Sequence, residues 1–278
     1  MSGVLITGGT GYLGHGLVRF MLKAAYGRIR VFSRSEVSQA RMQEALGNDE
    51  RLGYFVGDVR DLDRLERAMA RCSLVIHAAA LKRIEVGHYN PDEMVKTNVL
   101  GAMNVIEAAR RARVRRVVFV STDKAFEPVS PYGLSKAMAE QLFLAANRQS
   151  LGPRFVVCRY GNVAGSTGSV IPVWREQLRR GEQVKVTDPN CTRFWMRLDQ
   201  AVRLVVQAID TDEEFIVPEL PAYRLMDLQH AMGIASVQIL GLRPWEKKHE
   251  AMGPCGTSET APRLTIEDLR AELELVPA

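Results

Sequence analysis

The sequence predicts an α/β protein in which a parallel sheet carries helices on both faces and a smaller lobe follows. Short β-branched apolar runs recur as far as about residue 160, and helical patterns at 62–69, 94–112 and 132–147 alternate with them. Such alternation is typical of a parallel sheet. After about residue 163 the order becomes irregular. We therefore place the sheet domain at residues 1–162 and the lobe mainly at 163–278, with some later segments returning to the first domain.

The first predicted strand, Gly3–Thr7, runs into a glycine-rich turn and then a helical pattern. Gly9, Gly11 and Gly14 have the spacing of the dinucleotide-binding fingerprint, and they lie between a strand and a helix, as it requires. Positions without side chains let the backbone approach a pyrophosphate at the helix N-terminus. The turn therefore predicts a Rossmann-type doubly wound sheet with a bound dinucleotide, and a glycine turn without a ligand is the weaker interpretation. The cofactor residues predicted here are Gly8, Thr10, Gly11, Tyr12, Leu13 and Gly14.

The second predicted strand, 29–32, ends at Ser33 and Arg34. An NAD site commonly has a carboxylate at this place for the ribose 2′-hydroxyl, and this chain has none. A hydroxyl and a guanidinium suit a 2′-phosphate instead, so we predict NADP as the cofactor, with Ser33 and Arg34 as its ligands. The alternative is that Arg34 is a solvated loop charge.

The third and fourth predicted strands, 53–56 and 74–76, also end in residues suited to a nucleotide. Asp58 follows the third strand and is placed to accept a hydrogen bond from the adenine amino group. Ala78-Ala79-Ala80 follows the fourth strand, where small side chains let a cofactor lie flat against the backbone. His77 has no second metal-type ligand at helical or loop spacing, so we interpret it as a packed strand end and predict no metal site.

A candidate catalytic segment follows the fifth predicted strand, Arg116–Val120. It reads Ser121-Thr122-Asp123-Lys124, and Pro131 begins a predicted helix that carries Tyr132 and Lys136. The i, i+4 spacing places the phenol and the ammonium on one helix face. Positive charge beside a phenol lowers its pKa, which would let Tyr132 act as a base near neutral pH. The same pair occurs by chance on many surface helices, and the preceding nucleotide motif gives it weight.

The lobe follows a sixth predicted strand, 155–158, and contains two arginines in polar segments. Arg193 lies in Thr192-Arg193-Phe194-Trp195, and Arg243 begins Arg243-Pro244-Trp245-Glu246-Lys247. Two arginines on loops of one lobe would clamp a diphosphate, although each alone is better explained as a surface charge. We predict that this lobe binds the substrate. Its predicted short strands are 184–186, 215–217 and 237–239.

Composition excludes several other classes of protein. The 278 residues are 46% apolar, enough for a large core and a smaller one. No apolar run reaches the roughly eighteen residues that span a membrane, so we expect a soluble protein without a membrane partner. The start, Met1-Ser2-Gly3, shows no charged leader or apolar signal segment, so we expect no export. Scattered cysteines predict reduced thiols in the cytoplasm. They are Cys72, Cys158, Cys191 and Cys255.

The net charge of +5 and the pI of about 9.1 raise the question of nucleic-acid binding. The densest basic cluster, 110–116, straddles a predicted helix end, where the helix dipole favours cations. A solvated helix terminus explains this cluster better than a binding surface does. We therefore predict no nucleic-acid partner.

These motifs resemble the extended short-chain dehydrogenase/reductases, and more narrowly the soluble UDP-N-acetylglucosamine 4,6-dehydratases, including the C5-inverting enzymes of pseudaminic acid biosynthesis. The resemblance covers nearly the whole chain. The glycine turn and Tyr-x-x-x-Lys identify only the superfamily, whereas Thr-Asp-Lys is narrower, because a simple epimerase lacks the acid and base pair that water elimination needs. The matching segments are 7–14, 57–61, 77–82, 96–98, 121–125, 132–136, 159–163, 192–195 and 243–250.

The resemblance implies an internal redox mechanism at a tightly bound NADP that is regenerated in each turnover. Tyr132 with Lys136 would remove the 4-hydroxyl proton, and Thr122 would help to hold that hydroxyl. Lys124 would then take the C5 proton and Asp123 would give one to the departing 6-hydroxyl. A carboxyl beside a lysine normally stays ionised, so Asp123 has to be kept protonated by burial or supplied with a proton by the local network. The implied product is a UDP-4-keto-6-deoxy-HexNAc made from UDP-N-acetylglucosamine or a close UDP-HexNAc.

The resemblance also adds contacts that the motifs alone do not assign. The further cofactor contacts are Val59, Lys82, Asn98, Ser121, Tyr160, Gly161, Asn162 and Val163. The substrate contacts are Lys82, Asn162, Val170, Thr187, Arg193, Arg243 and Glu246.

Two alternatives and one departure stay open. A UDP-sugar 4-epimerase would leave Asp123 and Lys124 idle. A non-catalytic NADP-binding scaffold or sensor is the other class, and intact Tyr132 and Lys136 argue against it. The departure is Trp245, an indole where the family's Arg-Pro-Gly-Glu-Lys segment has glycine, at the place where diphosphate and uracil are handled.

A homo-oligomer, a dimer or larger, is also implied. Extended members usually pair the two helices that begin here near Met94 and Tyr132. The apolar residues of the second helix exceed what one sheet face needs, although packing in the core explains some of them equally well. These residues are Leu134, Met138, Leu142 and Phe143.

Overall fold

A parallel sheet of seven strands forms the centre of the computed structural model, which describes residues 3–149 and 152–277. Met1 and Ser2, where we expect no export signal, lie outside the described residues. The strands are β1 (Gly3–Thr7), β2 (Ile29–Ser33), β3 (Leu52–Val56), β4 (Cys72–His77), β5 (Arg116–Val120), β6 (Arg154–Cys158), β7 (Val184–Val186), β8 (Thr192–Phe194), β9 (Phe215–Ile216), β10 (Ala222–Arg224) and β11 (Val237–Ile239). The sheet order is β3-β2-β1-β4-β5-β6-β9, which confirms the predicted Rossmann-type α/β fold class.

Helices cover both faces of this sheet because successive strand residues point to opposite sides. In β1, Val4 and Ile6 belong to one core, and Leu5 between them belongs to the other. The first core includes residues of α1 and α9, and the second includes residues of α3, α6 and α7. The helices are α1 (Tyr12–Lys23), α2 (Glu36–Ala45), α3 (Leu62–Met69), α4 (Ile84–Tyr89), α5 (Pro91–Met94), α6 (Gly101–Arg111), α7 (Pro131–Arg148), α8 (Val170–Arg179), α9 (Leu198–Asp210), α10 (Leu225–Ala231) and α11 (Ile266–Glu274).

The predicted helix at 94–112 is divided in the structure. A π-helical segment, Val95–Leu100, joins α5 to α6. π-Helical turns are rare and are frequent at functional sites. Gly101 follows it, where a Cβ would lie 2.8 Å from Cγ2 of Val59, so the helix packs tightly against the loop after β3.

The smaller lobe contains two short strand pairs, β7 with β11 and β8 with β10. It has its own core, which includes Trp174, Trp195 and Tyr223. The prediction that Arg193 lies on a loop was wrong, because Thr192–Phe194 forms an antiparallel ladder with Ala222–Arg224. In contrast, α9 and β9 lie with the central sheet, where β9 pairs with β6.

Two further expectations concern membranes and thiols. Among the described residues, no helix combines the length and apolar character needed to cross a membrane. All four cysteines are free thiols, and Cys72, Cys158 and Cys191 are buried.

Candidate active site

A cleft of about 790 Å³ opens along the carboxyl ends of the central strands. It lies where the strand order reverses between β1 and β4, the position at which open parallel sheets bind ligands. Most predicted cofactor residues line it. They are Gly8, Thr10, Gly11, Tyr12, Leu13, Gly14, Ser33, Arg34, Asp58, Val59, Ala78, Ala79, Ala80, Lys82, Ser121, Tyr132, Lys136, Tyr160, Gly161, Asn162 and Val163.

The glycine turn brings the backbone against the wall of this cleft. Gly8 has φ of +67°, and a Cβ there would lie 2.7 Å from the backbone nitrogen of Ala79. A Cβ at Gly14 would lie 2.3 Å from the carbonyl oxygen of Gly9. No side chain caps the N-terminus of α1, so its first amides are available to an anion. These features fit the pyrophosphate of a dinucleotide.

Ser33 and Arg34 lie at the cleft end where β2 stops. Nε2 of Gln39 donates to Oγ of Ser33 at 3.1 Å, so the hydroxyl hydrogen of Ser33 stays available for another acceptor. Asp58 is engaged by Arg60, whose Nη2 lies 2.7 Å from its Oδ2. Although burial opposes it, these bonds and the charge of Arg34 hold the pKa of the Asp58 carboxyl below its ordinary value. The carboxylate is therefore largely neutralised by arginine, and the end of the cleft suits a phosphate.

Asn98 is a predicted cofactor residue that does not line the cleft. It is buried in the π-helical segment, and its amide bonds both the nitrogen and the oxygen of the Leu81 backbone, at 2.8 and 2.9 Å. Its Nδ2 also donates to Oγ of Ser135 on α7 at 2.9 Å. Asn98 therefore supports the loop of Ala78–Lys82 against α7. Lys82 does line the cleft, and burial followed by the charge of Arg83 lowers its pKa.

The catalytic segment is a 3₁₀ turn that follows β5, and the start of α7 packs directly on it. Ser130 caps α7 by accepting from the nitrogen of Gly133 at 3.1 Å. A Cβ at Gly133 would lie 2.3 Å from the carbonyl oxygen of Lys124, so only glycine allows this approach. Tyr132 and Thr122 both line the cleft beside this turn, and Thr122 acts to lower the pKa of the Tyr132 phenol.

Asp123 lies behind the cleft wall rather than on it. Its side chain is fully buried, and its Oδ1 lies 2.9 Å from Oγ1 of Thr122 and 3.0 Å from Nζ of Lys124. Its Oδ2 has no hydrogen-bond partner among the described residues. Burial and the charge of Glu250 raise the pKa of Asp123, against the effect of Lys124. Burial therefore disfavours the carboxylate form of Asp123, whereas the neighbouring Lys124 favours it.

Lys124 lines the cleft and is surrounded by three acceptors. Its Nζ lies 3.0 Å from Asp123 Oδ1, 3.1 Å from Asn162 Oδ1 and 3.2 Å from Glu250 Oε1. Burial alone would lower the pKa of Lys124, but the charges of Asp123 and Glu250 raise it above its ordinary value. The ammonium form is therefore the resting form of this side chain.

Tyr132 and Lys136 share a helix face, but the ammonium does not lie beside the phenol. Nζ of Lys136 donates to the carbonyl oxygen of Val120 at 2.6 Å and lies 3.9 Å from the centre of the Phe119 ring. Burial raises the pKa of Tyr132 to about 12, although Lys124 and Thr122 act to lower it. The expectation that Lys136 lowers this pKa was wrong for this arrangement, because the positive charge acting on the phenol is that of Lys124.

The predicted substrate residues of the lobe do not line the cleft. Arg193 lies in β8 rather than on a loop; its guanidinium bonds the carbonyl oxygen of Lys248 at 3.0 Å and lies 3.5 Å from Oε1 of Glu246. Thr187 bonds the same carboxylate at 3.2 Å. The predicted diphosphate clamp is therefore not assembled, because Arg193 is committed to the lobe's interior. Val170 lies one turn from Val173, which does line the cleft.

The segment that carries Trp245 packs against α4 through an ion pair and a stacked ring. Nη1 of Arg243 lies 3.1 Å from Oε1 of Glu85, and the indole of Trp245 stacks on His88 with ring centres 4.0 Å apart. Glu85 lines the cleft. The indole that replaces a glycine therefore joins the lobe to the cleft wall.

Sequence reasoning missed part of the cleft. The missed lining residues are Phe32, Ser35, Gly57, Arg83, Ile84, Glu85, Thr97, Val120, Ser166, Thr167, Gly168, Ser169 and Val173. The glycine and serine content of 165–169 was an available signal for a loop that approaches a ligand. Glu250 was also missed, although it ends the segment 243–250 that carries the family resemblance.

His77 is a packed strand end, as the sequence indicated. Thr7 Oγ1 lies 2.7 Å from its Nδ1, and its ring stacks on Phe119. Burial and the charge of Lys136 lower its pKa to about 3, so it is neutral. No group of three or more metal-type ligands occurs within residues 3–149 and 152–277.

Comparison with known proteins gives both dehydratases and epimerases as relatives. A UDP-N-acetylglucosamine 4,6-dehydratase (inverting) from Campylobacter jejuni subsp. jejuni serotype O:2 is 40% identical over 256 residues, covering 90% of this chain and 76% of that protein. A UDP-glucose 4-epimerase from Rickettsia rickettsii is 37% identical over 262 residues, with the same coverage of 90% and 76%.

Solved structures confirm the architecture. Pen from Bacillus thuringiensis superposes with a TM-score of 0.91 at 32% identity, over 99% of this chain and 98% of that one. A dTDP-glucose 4,6-dehydratase, DesIV from Streptomyces venezuelae, solved with NAD and TYD bound, has a TM-score of 0.81 at 23% identity over 99% and 98%. A family described as polysaccharide biosynthesis protein matches residues 4–266. The chain therefore belongs to the polysaccharide biosynthesis protein family and has the fold of the extended short-chain dehydrogenase/reductases.

Proposed function

We propose that the chain is an NADP-dependent nucleotide-sugar 4,6-dehydratase, a hydro-lyase that converts UDP-N-acetylglucosamine or a close UDP-HexNAc to a UDP-4-keto-6-deoxy-HexNAc. The observation that carries this proposal is the placement of Lys124 on the cleft wall, beside Thr122 and in front of the buried Asp123. Oxidation at C4 alone needs neither the lysine nor the carboxyl. An amine and a carboxyl group 3.0 Å apart at the cleft are the base and acid pair that water elimination needs.

The bound cofactor would supply a nicotinamide that accepts a hydride from C4 and later returns it at C6. Tyr132 takes the proton of the 4-hydroxyl, which Thr122 helps to hold. Both Lys124 and Thr122 favour the phenolate form of Tyr132, so the segment at 121–124 assists this first step as well.

The 4-ketone makes the C5 proton acidic, and Lys124 takes that proton as an amine after it has given one of its own protons to Asp123, 3.0 Å away. Asp123 supplies the proton with which the 6-hydroxyl leaves as water. Because Asp123 does not reach the cleft surface, its proton passes through Thr122 or Lys124, both of which contact it and line the cleft.

We propose NADP rather than NAD because Ser33 and Arg34 occupy the place of the ribose carboxylate. The hydroxyl of Ser33 is available to donate, and Arg34 is exposed at the cleft wall. Four unbonded thiols also fit a reducing compartment such as the cytoplasm.

We further propose that α6 and α7 pair with a second copy of the chain. On α7, Leu134 and Met138 are 58% and 54% exposed, one turn apart, and Met103 of α6 is 48% exposed. Phe143 is buried in the core and Leu142 is partly buried. Two of the four apolar residues singled out on this helix therefore remain for a partner.

The product of UDP-N-acetylglucosamine in deuterated water tests the proposed reaction. We expect a loss of one water by mass spectrometry and deuterium at C5 by proton NMR. Lys124→Met should slow cofactor reduction only modestly, through its effect on Tyr132. It should lose both signals by about a hundred-fold or more, because a base has been removed without shortening the chain. Tyr132→Phe should stop cofactor reduction itself.

Lys185→Met is a matched control, since Lys185 is exposed on β7 and outside the cleft. A parent product with the mass of the substrate would overturn the dehydratase assignment. It would favour a 4-epimerase, the function named for the relatives from Rickettsia.

A further inference from the structure

We propose that Glu250 is the positioning residue of the elimination step: it orients the amino group of Lys124 at the cleft and stabilises the ammonium formed when Lys124 takes the C5 proton. This inference rests on the proposed function. In this inference, a carboxylate of the smaller lobe takes part in the elimination step at Lys124 of the sheet domain.

Hydrogen bonds to Ser258 hold the backbone of Glu250 in place, so that its side chain extends to the site. Its nitrogen donates to Oγ of Ser258 at 2.9 Å, and the nitrogen of Ser258 donates to its carbonyl oxygen at 2.7 Å. Ser258 is itself buried and bonded to Thr192 Oγ1 at 2.7 Å. Glu250 thus projects from a short, doubly bonded connection to β8, and only 2% of its surface is exposed.

The carboxylate of Glu250 lies between two lysines. Oε1 is 3.2 Å from Nζ of Lys124 and Oε2 is 3.3 Å from Nζ of Lys247. Lys247 is held in turn by the carbonyl oxygen of Phe126 at 2.6 Å. Against the effect of burial, the charges of Lys124, Arg193 and Lys247 lower the pKa of Glu250 to about 2. Glu250 is therefore ionised at any pH at which the enzyme is assayed.

The groups around Lys124 explain why Glu250 is needed in addition to Asp123 and Asn162. An ammonium has three N–H donors; Asp123 and Asn162 each accept one, and Glu250 lies at ion-pair distance, 3.2 Å from Nζ. An amine keeps only two N–H bonds. The hydrogen bond to Asn162 and the carboxylate of Glu250 at 3.2 Å both remain when one proton of Lys124 has moved to Asp123, so they hold the amine in place.

The charge of Glu250 matters most at the moment of proton transfer. The C5–H bond breaks, its proton goes to Nζ of Lys124, and its electron pair forms the C5–C6 double bond as the C6–O bond breaks. The hydroxyl leaves as water with the proton that Asp123 carried. Lys124 becomes cationic in this step, and the neighbouring carboxylate stabilises that charge. An orienting carboxylate does the same for the imidazole base of a Ser-His-Asp triad.

The pH dependence of the step follows from the charges that face this pair. A negative charge makes both Lys124 and Asp123 hold their protons to higher pH. Neutralising Glu250 therefore moves both limbs of the pH profile for C5 exchange to lower pH. The titratable and charged groups facing Lys124, Asp123 and Glu250 are Tyr132, Arg193, Tyr223 and Lys247.

The test uses Glu250→Gln and Glu250→Asp with cofactor bound and UDP-N-acetylglucosamine in deuterated water. We expect Glu250→Gln to reduce the cofactor within about three-fold of the parent rate and to lose C5 deuterium exchange by about a hundred-fold, the effect of a misplaced catalytic group. Its remaining exchange should show the shift to lower pH. Glu250→Asp keeps the charge, so its pH profile should match the parent even if its rate is reduced.

Glu272→Gln is the matched control, because Glu272 bonds Trp195 Nε1 at 2.9 Å and Arg197 at 2.8 Å in the same lobe. It should lower the melting temperature without moving the pH profile. Equal losses of cofactor reduction and C5 exchange in Glu250→Gln, with an unshifted profile, would show that Glu250 is only structural. A parent enzyme that reduces its cofactor but exchanges no C5 proton would overturn the proposed dehydratase and this inference together.

Discussion

Replacing Arg34 by alanine should remove most of the preference for NADP over NAD that we propose for this chain. The guanidinium lies at the cleft wall beside Ser33, and Asp58 nearby is neutralised by Arg60 at 2.7 Å, so little negative charge opposes a 2′-phosphate. A charge-assisted hydrogen bond contributes about 1.5 to 3 kcal/mol. That range corresponds to about 10- to 150-fold in the dissociation constant.

The exposure of Arg34 decides where in that range the effect should fall. Salt and water screen an exposed charge, so we expect the lower end, about ten-fold weaker binding of NADP in Arg34→Ala. NAD has no phosphate at this place, and its dissociation constant should change by less than about two-fold. The difference between parent and variant should shrink as salt is raised.

Titration calorimetry with each cofactor measures both constants. Arg41→Ala is the control, because Arg41 is exposed on α2 and does not line the cleft. The reasoning is refuted if parent and Arg34→Ala bind NADP and NAD in the same ratio.

Three further predictions follow from other parts of the structure. Gly8→Ala should weaken the binding of both cofactors by more than about ten-fold and lower the free energy of unfolding by about 1 to 3 kcal/mol. The reason is that the new Cβ would lie 2.7 Å from the Ala79 nitrogen, at a residue whose φ is +67°. Unchanged binding of both cofactors in titration calorimetry would contradict this. Burial lowers the pKa of Lys136 to about 7 from 10.5, so the unfolded chain binds more protons between those values and stability rises with pH there, by up to about 1.4 kcal/mol per unit. Lys136→Met removes this gain in stability. If the melting temperatures of the parent and of Lys136→Met differ by the same amount from pH 7 to 10.5, the lysine is not buried as described. Leu134→Glu should shift sedimentation towards the monomer, whereas Val37→Glu, at an equally exposed 55%, should not.

The sheet domain could be predicted from sequence because its signals are local. The runs at β1 and β5 are continuous and apolar, and the predicted and observed limits of both strands agree. Pro131 and Ser130 mark the start of α7 through a fixed φ and a capping hydroxyl. The glycine turn and the catalytic segment lie at strand ends, so the topology of a parallel sheet alone brings them to one cleft.

The lobe and the charge network could not be predicted because they depend on contacts distant in sequence. Strand β8 is three residues long and exists because β10 pairs with it. Glu250 meets Lys124 only after the smaller lobe has folded against the larger one. The position of Lys136 depends on one carbonyl oxygen, that of Val120, which competes with the phenol for the ammonium. The i, i+4 spacing of Tyr132 and Lys136 within the helix therefore does not predict which of these two acceptors the ammonium contacts.

The order of the strands also separates two properties of the enzyme in evolution. Residues 33–34 follow β2 on one side of the reversal between β1 and β4, and the segment at 121–136 follows β5 on the other. Substitutions at the residues that we propose choose the dinucleotide therefore leave untouched the residues that we propose act on the sugar. Within such a lineage, cofactor use and product can drift independently, and a chain that acquires another dinucleotide preference keeps its inherited chemistry.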